Sequence, residues 1–172
     1  MNDQLIRELA QMAAEDQRIR QPKDDRRFSQ PLTMEEAMEF ARVDVANTDR
    51  LRAIVAEHGW PGRRLVGEEG AEHAWLIAQH ADKQLGFQRE ALRLLEAAVA
   101  DGDAPATHLA YLTDRVCVNE GRAQQYGTQV GAMEDGRPVP WPVADQDRLD
   151  ERRAAAGLEP WADYARGWDG LR

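Results

Sequence analysis

Cysteine occurs once in the 172 residues, at Cys117. No intrachain disulfide can form, and a thiolate cage for a metal ion is excluded. Long apolar runs are missing too: no window approaches the eighteen or so apolar residues of a membrane span. The opening MNDQLIRELAQ lacks the basic stretch and apolar run of a secretory leader. Positive charge is in deficit, with 22 Lys and Arg against 31 Asp and Glu, a formal net charge of −9. A phosphate backbone or an anionic membrane surface would repel such a chain, so neither nucleic acid nor membrane is an expected partner. The catalogue of short catalytic motifs is also empty: no Walker loop, no G-x-G-x-x-G, no H-E-x-x-H and no nucleophile elbow. His73 and His80 are seven apart, which is not chelating spacing on one helix, and His58 and His108 lie in other segments. These absences predict a soluble protein of a reducing cytoplasm with no metal and no cofactor.

What is present is a chain of ordinary globular composition, 42% hydrophobic and 31% charged, long enough for one domain over residues 1–172. Leu5, Ile6, Leu9, Met12, Ala13 and Ile19 recur at helical spacing over residues 3–20, with Asn2 or Asp3 as cap. A loop with two prolines and a charge cluster follows over residues 21–32. Thr33 and Glu36 make a capping-box pattern that starts a helix ending near His58, before Gly59-Trp60-Pro61-Gly62. Residues 70–82 are apolar around most of a helix, as in a buried one. Further helices are expected over 84–100 and 105–119. The period then changes. GTQVGAMEDGRPVPWPV carries a hairpin signal at Asp135-Gly136 and alternating Pro138, Pro140 and Pro142, which suit an edge strand or extended arm near residues 126–142. A C-terminal helical segment over 145–168 has a Schellman-type stop at Gly157-Leu158 and a last short helix opened by Pro160. The fold class is therefore mainly α, a compact single-domain helical bundle with a small β-hairpin.

Chemistry is expected from polar side chains set into segments that otherwise read as core. His80 is the natural proton carrier, because histidine ordinarily titrates near neutrality. Its helical angle, beside Leu76 and His73, equally suits an ordinary helix-end histidine. Gln79 needs several hydrogen-bond partners if buried. Asp82 reads as a solvated helix end, and Gln88 as a surface residue. Asp114 and Arg115 share a face with Tyr111. They make either an ion pair between helices, or an orienting carboxylate for His80 and a two-pronged anion clamp. Gln125, Tyr126, Thr128 and Gln129, around Gly127, offer amides, a phenol and a hydroxyl where helix gives way to extended chain. The plain alternative is a loop pinned by side-chain bonds to its backbone. Asp16 and Arg20 are four apart and read first as a surface salt bridge. Cys117 reads as a small buried hydrophobe.

The segments DQRIR, GWPG, VGEEGAEHAWLIAQHAD followed by FQ, AYLTDRV, GRAQQYGTQ and ERRAAAGL, taken in this order, resemble a bacterial family known as domain of unknown function 6624. The resemblance covers roughly residues 5–165 and implies a complete bacterial single-domain protein. It carries over Asp16, Gln17, Arg20, Trp60, Pro61, Gly67, Gln79, His80, Asp114, Arg115 and the Gln125–Gln129 run as motif residues, without assigning them chemistry.

The residues point to a pocket protein in which His80, Asp114 and Tyr126 form the acid–base group. Gln79, Arg115, Gln125, Thr128, Gln129, Asp16 and Arg20 would then hold a small polar or anionic molecule. A metal-independent hydrolase or lyase fits this set. The competing reading is a non-catalytic interaction, immunity or regulatory module, working through the proline-rich arm and an apolar patch around Trp141, Trp161 and Trp168. A homodimer through the same patch is a third reading.

Overall fold

A computed structural model describes residues 1–20, 32–135 and 137–168, and the proline-bearing stretch 21–31 lies outside them. The protein is mainly helical, with one two-stranded antiparallel hairpin. Its contacts divide it into two compact units, residues 1–104 and 105–172.

The first unit holds four helices. Helix α1 (Asp3–Arg20) is capped by Asn2, whose Oδ1 accepts the Leu5 N–H at 3.2 Å. Helix α2 (Met34–His58) starts with the capping box expected from its sequence. The Thr33 hydroxyl accepts the Glu36 N–H, and the Glu36 carboxylate accepts the Thr33 N–H. Leu9, Leu51, Ile54, Ile77 and Leu95 are fully buried and supply the core of this unit.

Helix α3 (Arg63–Gln79) begins seven residues earlier than the apolar run suggests. Its first turn contains Arg63 and Arg64, a charge sign that the positive end of a helix disfavours. Asp103 compensates: its carbonyl accepts the Arg63 N–H at 3.0 Å, and its carboxylate accepts the Arg64 N–H at 2.8 Å. The helix is interrupted at Gly67, whose φ of 75° and ψ of 178° are open essentially to glycine alone. Helices α1 and α3 run parallel and in register: Asn2 N–H donates to Leu65 carbonyl at 2.8 Å, and fourteen to fifteen residues later Asp16 meets His80. Helix α4 (Leu85–Ala100) completes the unit.

The second unit opens with α5 (Ala106–Asn119), which buries Ala110, Leu112, Asp114, Val116 and Cys117. Strands β1 (Val130–Glu134) and β2 (Arg137–Pro140) form the hairpin in the proline-rich segment. Asp135 takes the left-handed conformation at the turn, while Gly136 lies outside the described residues. The register slips between Val130 and Ala132, and the Trp141 indole lies over Gly131 at that irregularity. A 3-10 turn (Gln146–Arg148) leads into α6 (Leu149–Ala155). The predicted stop is present: Leu158 N–H donates to Arg153 carbonyl and Gly157 N–H to Ala154 carbonyl, with Gly157 at φ 74°. Pro160 precedes the final helix α7 (Trp161–Arg166).

Replacing Gly67 by alanine is expected to cost about 1–3 kcal/mol, because a Cβ makes its backbone conformation strained whatever the surrounding space. Denaturant unfolding of G67A beside the parent protein measures this, and an unchanged midpoint would show that the break in α3 relaxes freely.

Candidate functional site

The richest polar cluster of the first unit forms where the ends of α1 and α3 meet. His80 ends α3, so its imidazole leaves the helix at a point where backbone carbonyls are no longer shielded by a following turn. Gln88, from the first turns of α4, holds that end in place. Its amide donates to the carbonyls of Ala78 and Gln79 at 3.3 and 3.2 Å and to Asp82 Oδ1 at 3.3 Å. Gln88 is thus fully buried rather than at the surface, and Asp82 is tied to it rather than standing in solvent. Gln79 is buried one residue before His80.

Both oxygens of Asp16 lie 2.9 Å from His80 Nδ1. The carboxylate is 1% exposed, so the surface salt bridge expected of Asp16 and Arg20 is instead a buried network. Asp16 Oδ1 accepts from Arg20 Nε at 3.1 Å, and Oδ2 accepts from the Gln17 amide at 2.9 Å. Arg20 also pairs with Asp44 of α2 and lies over the Phe40 ring. An uncompensated buried carboxylate is very costly, so these donors are a condition of folding. Burial pushes the Asp16 carboxyl up, but the hydrogen bond and charge of His80, with Arg20 and Gln17, outweigh it and hold Asp16 below the usual aspartate range. Asp44 moves the other way: burial raises it, and Arg20 only partly opposes that. His80 keeps partial solvent access, with 18% of its side chain exposed, and its Nε2 makes no hydrogen bond among the described residues.

A hollow of about 590 Å³ opens along the seam of α1 and α3 in the same unit. Ala13 and Gln17 line it from α1, and His73 and Leu76 from α3. Among the described residues no three His, Cys, Asp or Glu side chains are grouped to hold a metal ion.

The second cluster centres on Asp114, which is fully buried. Its carboxylate accepts the N–H groups of Gln125 at 2.6 Å, Tyr126 at 3.0 Å and Thr128 at 2.9 Å, together with the Thr128 hydroxyl at 2.9 Å. Burial pushes the Asp114 carboxyl above the usual range, and these donations work against that rise. Gln124 closes the other edge of the loop: its amide donates to the carbonyls of Gln129 and Trp141, and its Oε1 accepts the Gln129 N–H. The carbonyls are held as well, Gln125 by Arg152, Tyr126 by Arg153 and Thr128 by the Tyr164 hydroxyl. Gly127 sits at φ 68° against the Trp161 ring. Arg115 donates to Gln129 Oε1 at 3.0 Å. The side chains of Gln125 and Tyr126 project from this pinned backbone half-buried, and the Tyr126 phenol makes no hydrogen bond among the described residues.

The carboxylate on His80 Nδ1 is therefore Asp16, where the sequence suggests Asp114; the oxygens of Asp114 are occupied by the 125–128 loop. Sequence reasoning passes over Asp44, Arg152 and Arg153, and places the fully buried Gln88 at the surface. One signal for Arg153 was available: it follows Leu149 by four, on the side of α6 that is buried. It is 1% exposed, with its guanidinium against the Trp161 and Tyr164 rings.

Fold and cluster together define a mainly helical protein in which a buried aspartate holds a partly accessible histidine, with an interhelical hollow in the same unit. The chain belongs to the Family of unknown function (DUF6624), whose model matches residues 3–170. No curated protein and no solved structure matches it. Among the described residues no helix is long and apolar enough to cross a membrane.

Two outcomes follow from these geometries. Asp114→Asn turns an amide NH2 toward backbone donors and is expected to cost about 1–3 kcal/mol, read as a fall in thermal midpoint of several degrees; an unchanged midpoint would show that the loop has other support. Asp16 titrates below its ordinary value, so its stabilisation is complete above the ordinary aspartate range and is lost as pH falls through the lower folded value. Urea midpoints taken from about pH 5 to pH 2 should therefore fall more steeply for the parent than for Asp16→Asn, and parallel curves would contradict the assigned direction.

Proposed function

We propose that the protein is a small acid–base enzyme of the hydrolase or lyase type, with His80 as the proton carrier and Asp16 as its orienting partner. The observation that supports this reading is the pairing of a nearly inaccessible carboxylate with Nδ1 of a partly accessible imidazole whose Nε2 has no partner among the described residues. A carboxylate in that position fixes the ring and the tautomer and stabilises the imidazolium that forms when Nε2 takes a proton. The proton would come from water in a hydrolysis, or from the substrate in an elimination, and Nε2 would return it to the leaving group. Arg20, fixed by Asp16 and Asp44, holds the carboxylate in place rather than standing ready for substrate. Around His80, Asp16, Asp44 and Asp82 outnumber this one guanidinium, which favours a neutral or cationic polar substrate over an anionic one.

A second reading, a non-catalytic interaction or regulatory module, is favoured by one observation. The Trp141 indole, 49% exposed at the end of the hairpin, offers an aromatic anchor to a protein partner.

The test uses His80→Asn, whose amide nitrogen replaces Nδ1 as donor to Asp16 and whose side chain lacks Nε2. A screen of small esters, amides and substrates open to elimination identifies turnover in the parent protein. H80N is then expected to lose about 10²–10⁴ of that rate while its thermal midpoint stays within a few degrees. Turnover that survives H80N would reject His80 as the proton carrier.

A further inference from the structure

We infer that the hollow between α1 and α3 is a binding site for the ammonium end of an amine. The assignment of that amine as part of the substrate rests on the acid–base reading above, whereas the binding itself does not. Ala10, Ala13 and Ala14 form an alanine surface on the α1 side, which keeps the two helices from filling the space between them. On the α3 side, Trp75 and Leu76 provide flat apolar area. The charged side chains at the rim carry one sign: Glu69 and Glu72 are exposed, and neither has an ion-pair partner among the described residues. Among the described residues no lysine or arginine lines the hollow. Two carboxylates without an ion-pair partner among the described residues, at the rim of an otherwise apolar hollow, suit a cation. An anion there would be repelled by both glutamates.

The hollow also leads toward His80. The α1 positions 10, 13, 14 and 17 and the α3 positions 69, 72, 73 and 76 each form one helical stripe. The helices run parallel, and the α3 stripe continues to His80, whose Nδ1 lies 2.9 Å from Asp16. Gln17 joins the two regions, lining the hollow while donating to Asp16 at 2.9 Å. Glu72 and Glu69 precede His80 by eight and eleven residues, or roughly 12–16 Å of helix rise. The substrate class is thus an elongated amine, its ammonium group at the two glutamates and its reacting bond at the imidazole.

Amide resonances of the full-length protein, followed during titration with benzylamine, benzyl alcohol and benzoate, test this. Benzylamine is expected to shift residues on the 10–17 and 69–76 stripes saturably, with the alcohol weaker and benzoate without effect. Glu69→Gln with Glu72→Gln, two exposed positions, should weaken benzylamine by about tenfold or more without moving the thermal midpoint. H80N should bind benzylamine as the parent does. Benzoate binding as well as benzylamine, shifts confined to other surfaces, or an unaltered affinity in the double variant would overturn the inference. Loss of turnover in H80N with amine binding retained separates the two readings; amine binding retained alongside full turnover in H80N sinks only the catalytic one.

Discussion

A buried negative charge governs the first unit. Asp16 is taken out of water, and folding can tolerate that only because His80, Arg20 and Gln17 all donate to it. Those donors come from two helices, and Arg20 draws in Asp44 from a third. One desolvated carboxylate therefore sets how α1, α2 and α3 meet. It also sets the orientation of the imidazole. On the acid–base reading proposed above, the contacts that make the charge tolerable would also prepare the ring for proton transfer, so stability and chemistry would share one arrangement.

The second unit repeats the device for a different end. Asp114 is likewise a buried carboxylate, but its donors are backbone N–H groups of an irregular loop. A loop with no ladder of its own must satisfy its polar groups elsewhere. Here Asp114 and Gln124 take the N–H groups, and Arg152, Arg153 and Tyr164 take the carbonyls. The result is an ordered non-repetitive segment in which Gln125 and Tyr126 are displayed. The pinned-loop alternative raised by the sequence describes the backbone of this segment well.

Features decided by near neighbours were legible in the sequence. The Thr33–Glu36 box, the Gly157–Leu158 stop, the helical opening at Pro160 and the proline-spaced hairpin each depend on residues within a few positions. The features that were missed depend on distant ones. Helix α3 starts at Arg63 because Asp103, forty positions away, accepts its first N–H groups. Gln88 is buried because the end of α3 lies against it, which the pattern of α4 alone does not reveal. Asp16 and Arg20 have the spacing of an ordinary surface pair, and only His80, sixty-four positions on, makes them something else. The motif residues were therefore recognisable as a set, while their pairing was not: chemistry-bearing side chains carry little local information about which partner they will meet.

The way α3 ends has a consequence for how this protein can change over evolutionary time. A side chain from the next helix, not a glycine, secures the last carbonyls before His80. The imidazole's position is thereby tied to the seating of α4, whose residues Phe87, Ala91 and Leu95 are buried. Volume changes among those three would be transmitted through Gln88 as small displacements of the ring. Lineages could in this way shift the imidazole against its aspartate by drifting in a neighbouring helix.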